Sequence, residues 1–479
     1  MIKLTRKTRI VATLGPASSS KEKLWELMKA GVNVFRINFS HGDLSTKEQL
    51  LCDIKEVSSK LEAYPALLAD LQGPKIRTGK TEDNRDVYLK SHSEVVVTSE
   101  NLVCDERAIS VDYPTLSEEI GPGQELMVND GHIHLKVLSL DKARNRINCL
   151  VLEGGVYSSH KGVNLPNVDL KIPALTEKDR EDLQFILKHN FQYIALSFVR
   201  KAQDIKDLRE IIESARSHLK IIAKIEKPEA AEHIEEILNV SDGIMVARGD
   251  LGVEMSPSLI PVVQKDLIKK ANDTGKVVIV ATQMLESMIK HPIPTRAEST
   301  DVANAIFDGS DAVMLSGETA VGDYAVETVK MMGRIALTAE GSSYYYKEII
   351  NLSIRDTHPP HALAEAAVWA AKDLGGVPIL LFTISGDTAF YLAKLRNQSP
   401  VYAFSPNHNV VRMLSLAWNI SSHYLPMAET DTSSLQLSAE EILLKKNHIQ
   451  KGDLVLNLAG TTPVRGATNI LRVKRVGEE

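Results

Sequence analysis

Cysteine is scarce in this sequence. The 479 residues include only three, Cys52, Cys104 and Cys149, and none of them forms a CxxC motif. Thiols spaced this widely argue against a disulfide framework and against a cysteine-ligated zinc site. The spacing instead indicates free thiols in a reducing compartment, so we expect a cytoplasmic protein.

Long apolar runs and an excess of basic charge are also lacking. No stretch approaches the roughly 20 apolar residues of a membrane helix, and the N-terminal MIKLTRKTRIVATLGP is not apolar enough for a signal peptide. Lys and Arg number 56 against 62 Asp and Glu, which gives a formal net charge of −6. Because nucleic-acid-binding faces usually show basic clusters, we predict neither a membrane nor a nucleic-acid partner.

The sequence does contain a regular series of eight short strand-like runs, most of them separated by helix-like segments. They are TRIVATLGP (8–16), NVFRINFSHG (33–42), PALLADLQGP (65–74), YIALSFV (193–199), KIIAKIE (220–226), DGIMVARGD (242–250), KVVIVATQM (276–284) and DAVMLSGET (311–319). This alternation predicts an α/β protein built on a (β/α)8 TIM barrel. On the pattern alone, an open doubly wound sheet remains the alternative.

Two segments do not fit the barrel pattern. Between the third and fourth runs lie turn-rich residues of β character, including SEVVVTS and RINCLVLEGG, and after about residue 345 a second α/β pattern begins. We predict a catalytic barrel from residues 1–73 and 171–343, a β-rich lid over 74–170, and a C-terminal α/β domain over 344–479 for effectors or oligomerisation. A lid at the barrel mouth would exclude water, although a decorative insertion is the alternative.

Polar side chains stand at the carboxyl ends of six of the eight runs, where a barrel of this kind carries its active site. They are Arg36-Ile37-Asn38, Asp70, Lys224-Ile225-Glu226, Arg248-Gly249-Asp250, Thr282-Gln283 and Ser316-Gly317-Glu318. Since side chains two apart on a strand share a face, Lys224 and Glu226 are expected to point in the same direction.

The residue types at these ends indicate chemistry on a phosphorylated substrate. Glu226 and Asp250 are hard oxygen ligands that suit Mg2+ with substrate oxygens and waters, although a salt-bridge network is the alternative. Arg36 and Arg77 can fork onto phosphate, and Lys224 supplies a compact cation. A divalent ion with these three cations suits phosphoryl transfer, which depends on positioning and charge neutralisation.

The motifs around these residues resemble those of the pyruvate kinase family over essentially the whole chain. They are FRINFSHG, LADLQGPKIRTG, KGVNLP, IIAKIEKPEA, DGIMVARGDLG, ATQMLESM, PTRAESTDVANA and MLSGETA, in the family's order. The resemblance implies a phosphotransferase that moves the phosphoryl group of phosphoenolpyruvate to ADP, giving pyruvate and ATP in the last step of glycolysis. It also implies a homotetramer.

The same resemblance implies roles for individual residues. Glu226 and Asp250 would ligate Mg2+, for which Mn2+ can substitute, and Lys224 would stabilise charge on the phosphoryl group in flight and on the enolate oxygen. Arg36 would clamp phosphate, and Thr282 would border the enolate face that is protonated. The implied substrate-binding set is Arg36, Lys224, Gly249, Asp250 and Thr282, with the backbone at Gly249 and Asp250 on the carboxylate, and Ser316 and Glu318 fit a supporting relay.

The nucleotide and monovalent-cation positions also follow from the resemblance. The implied nucleotide-binding set is Asn38, Phe39, Ser40, His41, Arg77, Lys161 and, as an acid of the lid, Asp130. Potassium-dependent members hold K+ with groups that match Asn38, Ser40, Asp70 and the backbone carbonyl of Leu71. Here Lys75 stands where those members carry an acid, so we predict that K+ is not required.

A last motif, TISGDT at 383–388, resembles the phosphate loop of the family's effector pocket. It implicates Thr383, Ser385, Gly386 and Thr388. Members that respond to fructose 1,6-bisphosphate tend to carry basic residues in this pocket, whereas Asp387 would repel a second phosphate. We therefore predict a sugar monophosphate or a nucleotide monophosphate as effector, or none.

Two other functions remain open at this point. A barrel lyase acting on phosphoenolpyruvate or a related 2-oxo acid would also use a strand-end Glu and Asp on Mg2+, but it would not need Arg77, Lys161 or Asp130. A catalytically silent metabolite sensor is disfavoured, because each matched catalytic position carries a suitable residue type.

Overall fold

The structure is a computed structural model, and it describes residues 6–129, 131–166, 168, 170–345, 358–426, 432–460, 466 and 468–478. Among these residues the strands are β1 (Arg9–Thr13), β2 (Val34–Asn38), β3 (Ala66–Asp70), β4 (Val87–Leu89), β5 (Glu94–Thr98), β6 (Ala108–Ser110), β7 (Glu125–Val128), β8 (Ile133–Asp141), β9 (Arg146–Glu153), β10 (Gly155–Tyr157), β11 (Val163–Asn164), β12 (Tyr193–Leu196), β13 (Lys220–Ile225), β14 (Gly243–Ala247), β15 (Val277–Ala281), β16 (Ala312–Leu315), β17 (Ile379–Phe382), β18 (Val401–Ser405), β19 (Ile420–Tyr424), β20 (Leu454–Gly460) and β21 (Thr468–Arg475).

Eight of these strands form a closed parallel barrel. The order around the ring is β1, β16, β15, β14, β13, β12, β3 and β2. Closure is direct, because β1 pairs in parallel with β16 on one side and with β2 on the other. All eight predicted runs contribute a barrel strand, so the barrel prediction is confirmed and the open-sheet alternative is wrong.

Helices cover the outside of the barrel, which explains why strands such as VVIVA are apolar at every position. Side chains cap two of these helices: the Ser20 hydroxyl accepts the Lys23 N–H at the first helix, and Thr176 and Asp179 form a capping box. The helices of this part are Lys21–Ala30, Leu44–Leu61, Glu177–Lys188, Ala202–Ser214, Pro228–Glu232, Ile234–Val240, Arg248–Glu254, Ile260–Asp273, Arg296–Phe307, Gly317–Ala320 and Ala325–Glu340, with a 3-10 turn at Glu286–Ile289.

The residues between β3 and β12, called the insert below, form a small β structure with its own apolar core. Six strands pair in the order β11, β7, β8, β9, β5 and β6, and β10 pairs with β4. Its short helical elements are Glu82–Asn84, Leu116–Glu119 and Lys142–Arg144. The strands alternate buried and exposed residues, as in IHLKVLSLD and RINCLVLE, because one face of the sheet packs on the core.

The C-terminal part is a second α/β unit with a five-stranded sheet in the order β19, β18, β17, β20 and β21. Its helices are Pro359–Asp373, Asp387–Lys394, His408–Met413 and Thr432–Lys445, with a 3-10 turn at Leu414–Leu416. Lys394 and Arg396 form buried ion pairs with Asp311, which directly precedes β16. The C-terminal unit therefore packs against the barrel at the end opposite the carboxyl ends of the strands.

No helix within the described ranges is both long enough and apolar enough to span a bilayer.

Candidate active site

Lys224 lies at the centre of a charged cluster at the carboxyl ends of the barrel strands. Its Nζ is 2.7 Å from Glu226 Oε1, 3.3 Å from Asp70 Oδ1 and donates to Ser197 Oγ at 2.7 Å. The Lys224 and Glu226 side chains point the same way, as strand alternation predicts. Burial disfavours the charge of Lys224, but the carboxylates of Asp70 and Glu226 outweigh burial and raise its pKa.

Arg36 completes the cationic side of this cluster. Its Nε donates to Asp70 Oδ2 at 2.6 Å, and one terminal nitrogen donates to Thr13 Oγ1 at 3.0 Å. Although burial alone would raise the pKa of Asp70, Arg36 and Lys224 together lower it, so the carboxylate stays ionised. Asp70 thus holds the two cations side by side, where both could meet one anionic group.

Glu226 and Asp250 are the predicted oxygen donors. Glu226 is 2% exposed, and its Oε2 accepts the Phe198 N–H at 2.7 Å. Burial raises the pKa of Glu226, Lys224 opposes this shift, and the nearby charge of Asp250 adds to it. Two neighbouring carboxylates repel one another and so favour a cation between them, and hard oxygen donors suit Mg2+.

The donor set is small. Within the described ranges, no three side chains of the His, Cys, Asp or Glu types gather closely enough to hold a metal ion by themselves. Mg2+ is commonly held by one or two carboxylates with substrate oxygens and waters completing the octahedron. The pair Glu226 and Asp250 fits that kind of site.

Thr282 has a backbone conformation that β-branched residues rarely adopt. Its φ is +69° and that of Gln283 is +54°, a strain that tends to be held at functional sites by surrounding structure. Arg248 provides part of the hold, because it donates to Thr282 O at 2.8 Å and pairs with Asp301 at 2.6 Å. The Thr282 hydroxyl also accepts the Gly249 N–H at 2.7 Å, which joins the ends of β14 and β15.

Glu318 braces the next loop. Its carboxylate accepts the N–H groups of Ser316 at 2.7 Å and Leu285 at 3.1 Å, and burial raises its pKa. Since Leu285 follows the strained Thr282 turn by three residues, Glu318 connects that turn to the end of β16. The two residues predicted for a relay, Ser316 and Glu318, therefore contact each other at the rim of the site.

The loop after β2 is held from below by two lysines. Lys47 donates to the carbonyls of His41 at 2.6 Å and Gly42 at 2.8 Å, and Lys178 donates to the carbonyl of Phe39 at 2.8 Å. Burial lowers the pKa of His41, and the charges of Arg77, Lys75, Lys47 and Arg36 lower it further. These four cations make the surface around His41 strongly positive. This surface, called the positive mouth or pocket mouth below, suits the phosphates of a nucleotide.

Arg77 and Lys161 lie at the base of the insert on adjacent backbone segments. The backbone of Arg77 forms an antiparallel β-bridge with Gly162. Thr78 N–H donates to Lys161 O at 2.8 Å, and the Thr78 hydroxyl accepts the Lys161 N–H at 2.9 Å. One Arg77 guanidinium nitrogen donates to His160 O at 3.1 Å. The predicted lid acid, Asp130, lies outside the described residues.

Two family models match this chain along most of its length. Residues 5–329 match the model described as "Pyruvate kinase, barrel domain", and residues 361–474 match "Pyruvate kinase, alpha/beta domain". The chain belongs to the pyruvate kinase family. Members of this family are phosphotransferases, so the predicted family and its main function are confirmed and the lyase alternative is not supported.

Curated relatives and a solved structure agree with this assignment. The chain is 42% identical to a pyruvate kinase of Geobacillus stearothermophilus over 480 residues, and 42% identical to one of Staphylococcus saprophyticus over 477. Each alignment covers 99% of this chain and 81% of the relative. A crystal structure of a pyruvate kinase from Cryptosporidium parvum superposes with a TM-score of 0.92 at 35% identity, covering 98% of this chain and 96% of that one.

The motif predicted to bind an effector, TISGDT, forms a tight loop between β17 and the helix Asp387–Lys394 in this pyruvate kinase family member. Gly386 has a φ of +87°, and its N–H donates to Thr383 Oγ1 at 3.0 Å. Ser385 Oγ donates to Asp387 at 2.9 Å, and the hydroxyls of Thr388 and Thr468 lie 3.3 Å apart. The loop is thus shaped by its own hydroxyl groups, and Asp387 stands within it.

Sequence reasoning gave no role to four groups that complete the site. Thr13 ends β1 and Ser197 follows β12, the two barrel strands for which no polar end residue was predicted. Thr13 accepts from Arg36, and Ser197 accepts from Lys224 and donates to Leu71 O at 2.7 Å. The run YIALSFV contained the signal for Ser197 as a hydroxyl at a strand end. Arg248 was named at a strand end but was given no role, and the Phe198 N–H has no sequence signal.

Proposed function

We propose that this chain transfers the phosphoryl group of phosphoenolpyruvate to ADP, giving pyruvate and ATP. The observation that carries the proposal is the Lys224 cluster, in which Lys224 and Arg36 meet the carboxylates of Asp70 and Glu226 at the strand ends, with the charge of Asp250 close enough to raise the pKa of Glu226. Phosphoryl transfer requires this combination, because charge spreads over the transferred group and both flanking oxygens. The domain boundaries predicted from the sequence, 1–73 with 171–343, 74–170 and 344–479, are part of the proposal.

Glu226 and Asp250 would hold Mg2+, with Mn2+ as a substitute. A divalent ion there would supply positive charge to the phosphoryl and enolate oxygens. Lys224 binds the phosphoryl group in flight and offsets charge on the enolate oxygen, while Asp70 keeps its ammonium group oriented. Arg36 clamps the phosphate from the neighbouring strand.

Thr282 borders the face of the enolate that accepts a proton at carbon. Its strained backbone and its bond to Gly249 N–H hold the hydroxyl in one position, which favours a fixed route for the proton through water. The backbone at Gly249 and Asp250 positions the substrate carboxylate. Ser316 and Glu318 support this side of the site.

The nucleotide lies against the positive mouth beside the loop after β2. The proposed contacts are Asn38, Phe39, Ser40, His41, Arg77, Lys161 and Asp130. The insert acts as a lid that brings Arg77 and Lys161 to the phosphates and excludes water. The active form is a homotetramer.

The test is pyruvate formation from phosphoenolpyruvate with Mg2+, followed with and without ADP. We expect pyruvate to form only with ADP and ATP to appear in equal amount. A lyase or a hydrolase would release products without nucleotide, and a silent sensor would release none.

We expect turnover without K+. The predicted K+ groups already have protein partners: Asn38 Oδ1 accepts Ser40 N–H at 2.9 Å, and Leu71 O accepts the Ser197 hydroxyl at 2.7 Å. Lys75 contributes to the lowered pKa of His41, so its charge is felt at the pocket mouth. The ammonium group substitutes for the ion and repels a second cation.

The measurement is turnover in potassium-free tetramethylammonium buffer, beside a Lys75→Glu variant. The parent should be nearly indifferent to K+, and Lys75→Glu should depend on it. Lys90→Glu, the same charge reversal at an exposed position of the insert, serves as the control and should behave as the parent does. A parent that is inactive without K+ would contradict the prediction.

We also expect no strong activation by fructose 1,6-bisphosphate. Asp387 lies in the effector loop, hydrogen-bonded to Ser385, and its carboxylate opposes a second phosphate group. The measurement is the half-saturating concentration of phosphoenolpyruvate with this sugar, with a sugar monophosphate and with a nucleotide monophosphate. Strong activation by micromolar bisphosphate would refute the prediction.

A further inference from the structure

The insert touches the short helix that carries Asp250 at two adjacent residues. In β11, Asn164 Nδ2 donates to Glu254 Oε1 at 2.8 Å. At the turn after β7, a Cβ built on Gly131 would lie 3.4 Å from Val253 Cγ1, so the insert backbone rests on that side chain. The helix Arg248–Glu254 therefore meets the insert next to the carboxylate pair.

Glu254 also connects this helix to the strand of the other carboxylate. Lys227, which follows Glu226 in the chain, donates its Nζ to the same oxygen, Glu254 Oε1, at 2.7 Å. The Glu254 side chain is only 1% exposed and that of Lys227 is 9% exposed. One buried oxygen thus accepts from the insert and from the end of β13 together.

The contacts of Glu254 bear on the orientation of Asp250, because the two residues lie on the same short helix. Glu254 follows Asp250 by four residues, so the two side chains lie on one face of the helix, one turn apart. Holding Glu254 fixes the rotation of the helix and therefore the direction in which Asp250 faces Glu226. The second oxygen, Glu254 Oε2, is buried with no hydrogen-bond partner within the described ranges. The carboxylate can therefore accept a hydrogen bond from Asn164 in a second position of the insert.

We propose that Glu254 is a positioning residue that couples the insert to the Glu226 and Asp250 pair. When the insert moves over the nucleotide, Asn164 shifts on Glu254, and the helix turns Asp250 with it. The inference rests on the proposed function, because it takes that pair as the divalent-cation site. Coupling of this kind is reciprocal, so the cation must also stabilise one position of the insert.

The test uses the full chain with Mn2+ alone as the probe, and free Mn2+ is measured by electron paramagnetic resonance. Asn164→Ala removes the insert contact and leaves the Lys227 ion pair intact. We expect it to weaken Mn2+ binding by about tenfold, the usual effect of losing a group that orients a metal ligand. The control is Asn148→Ala, because the Asn148 side chain donates to Ser139 Oγ within the insert at 2.9 Å, and this variant should bind Mn2+ as the parent does.

Hydrogen exchange separates coupling from simple stabilisation. In the parent, Mn2+ should slow exchange around β11, and in Asn164→Ala this protection should be lost while the urea midpoint stays equal to that of Asn148→Ala. Glu254→Ala should make the Asn164 change silent, since the acceptor oxygen that Asn164 contacts is already gone.

The outcomes are distinct. A parent that binds Mn2+ and an Asn164→Ala variant that binds it equally well, with unchanged exchange at β11, overturn this inference alone. A parent that binds no Mn2+ overturns the metal assignment and this inference with it. ADP-dependent pyruvate formation, measured on the parent, tests the proposed function separately.

Discussion

Replacing Glu226 by Gln, or Asp250 by Asn, is expected to abolish turnover while the chain remains folded. The amide keeps the shape of each side chain but removes the negative charge that a divalent cation requires. Glu226→Gln also weakens the 2.7 Å contact with Lys224, so the transferring phosphoryl group loses two sources of stabilisation. The measurements are pyruvate formation at ordinary Mg2+ and the affinity for Mn2+, and both should fall together.

A stability control is necessary because breaking a buried ion pair costs about 3–5 kcal/mol. Glu340→Gln is the matched change, since Glu340 is as buried as Glu226 and accepts the N–H of Lys7 at 2.8 Å below β1. It should lower the urea midpoint without loss of turnover per folded molecule. Near-normal activity in Glu226→Gln or Asp250→Asn would remove the pair from the metal site.

The fold was largely predictable because the barrel leaves a local signature. Strands buried on both faces read as short β-branched runs, and the side-chain period of two brings Lys224 and Glu226 together. The pairing of Arg36 with Asp70 was not predicted, and Asp70 was interpreted only as a K+ ligand. That contact depends on the register of β2 with β3, in which Asn38 is opposite Asp70, and register is a property of the closed ring.

The backbone of Thr282 could not be predicted for a different reason. Local propensity opposes a positive φ at a β-branched residue, and the conformation depends on Arg248, Asp301 and the Gly249 N–H. Glu254 was missed because a glutamate at the end of a short helix usually indicates a solvated surface. Its burial requires the insert to lie on the helix, which no local pattern records.

Replacing Lys224 by Met is expected to slow phosphoryl transfer by roughly three orders of magnitude, since a preorganised charge is often the largest catalytic contribution. Asp70 and Glu226 raise the pKa of Lys224, so the ammonium group is charged at every pH at which the assay runs. The loss should therefore be independent of pH. Exchange of the methyl protons of pyruvate should survive in part, because Thr282 and the carboxylate pair remain.

The contrast between these two reactions is what tests the role of Lys224. The control is Lys474→Met, which breaks a comparable buried pair with Glu440 at 3.1 Å between the C-terminal sheet and the helix Thr432–Lys445, and it should retain both reactions. If Lys224 only stabilised the fold, Lys224→Met would lose transfer and exchange in the same proportion as it loses folded protein. A loss of transfer alone, with Arg36 still paired to Asp70, requires that the Lys224 charge acts on the phosphoryl group itself.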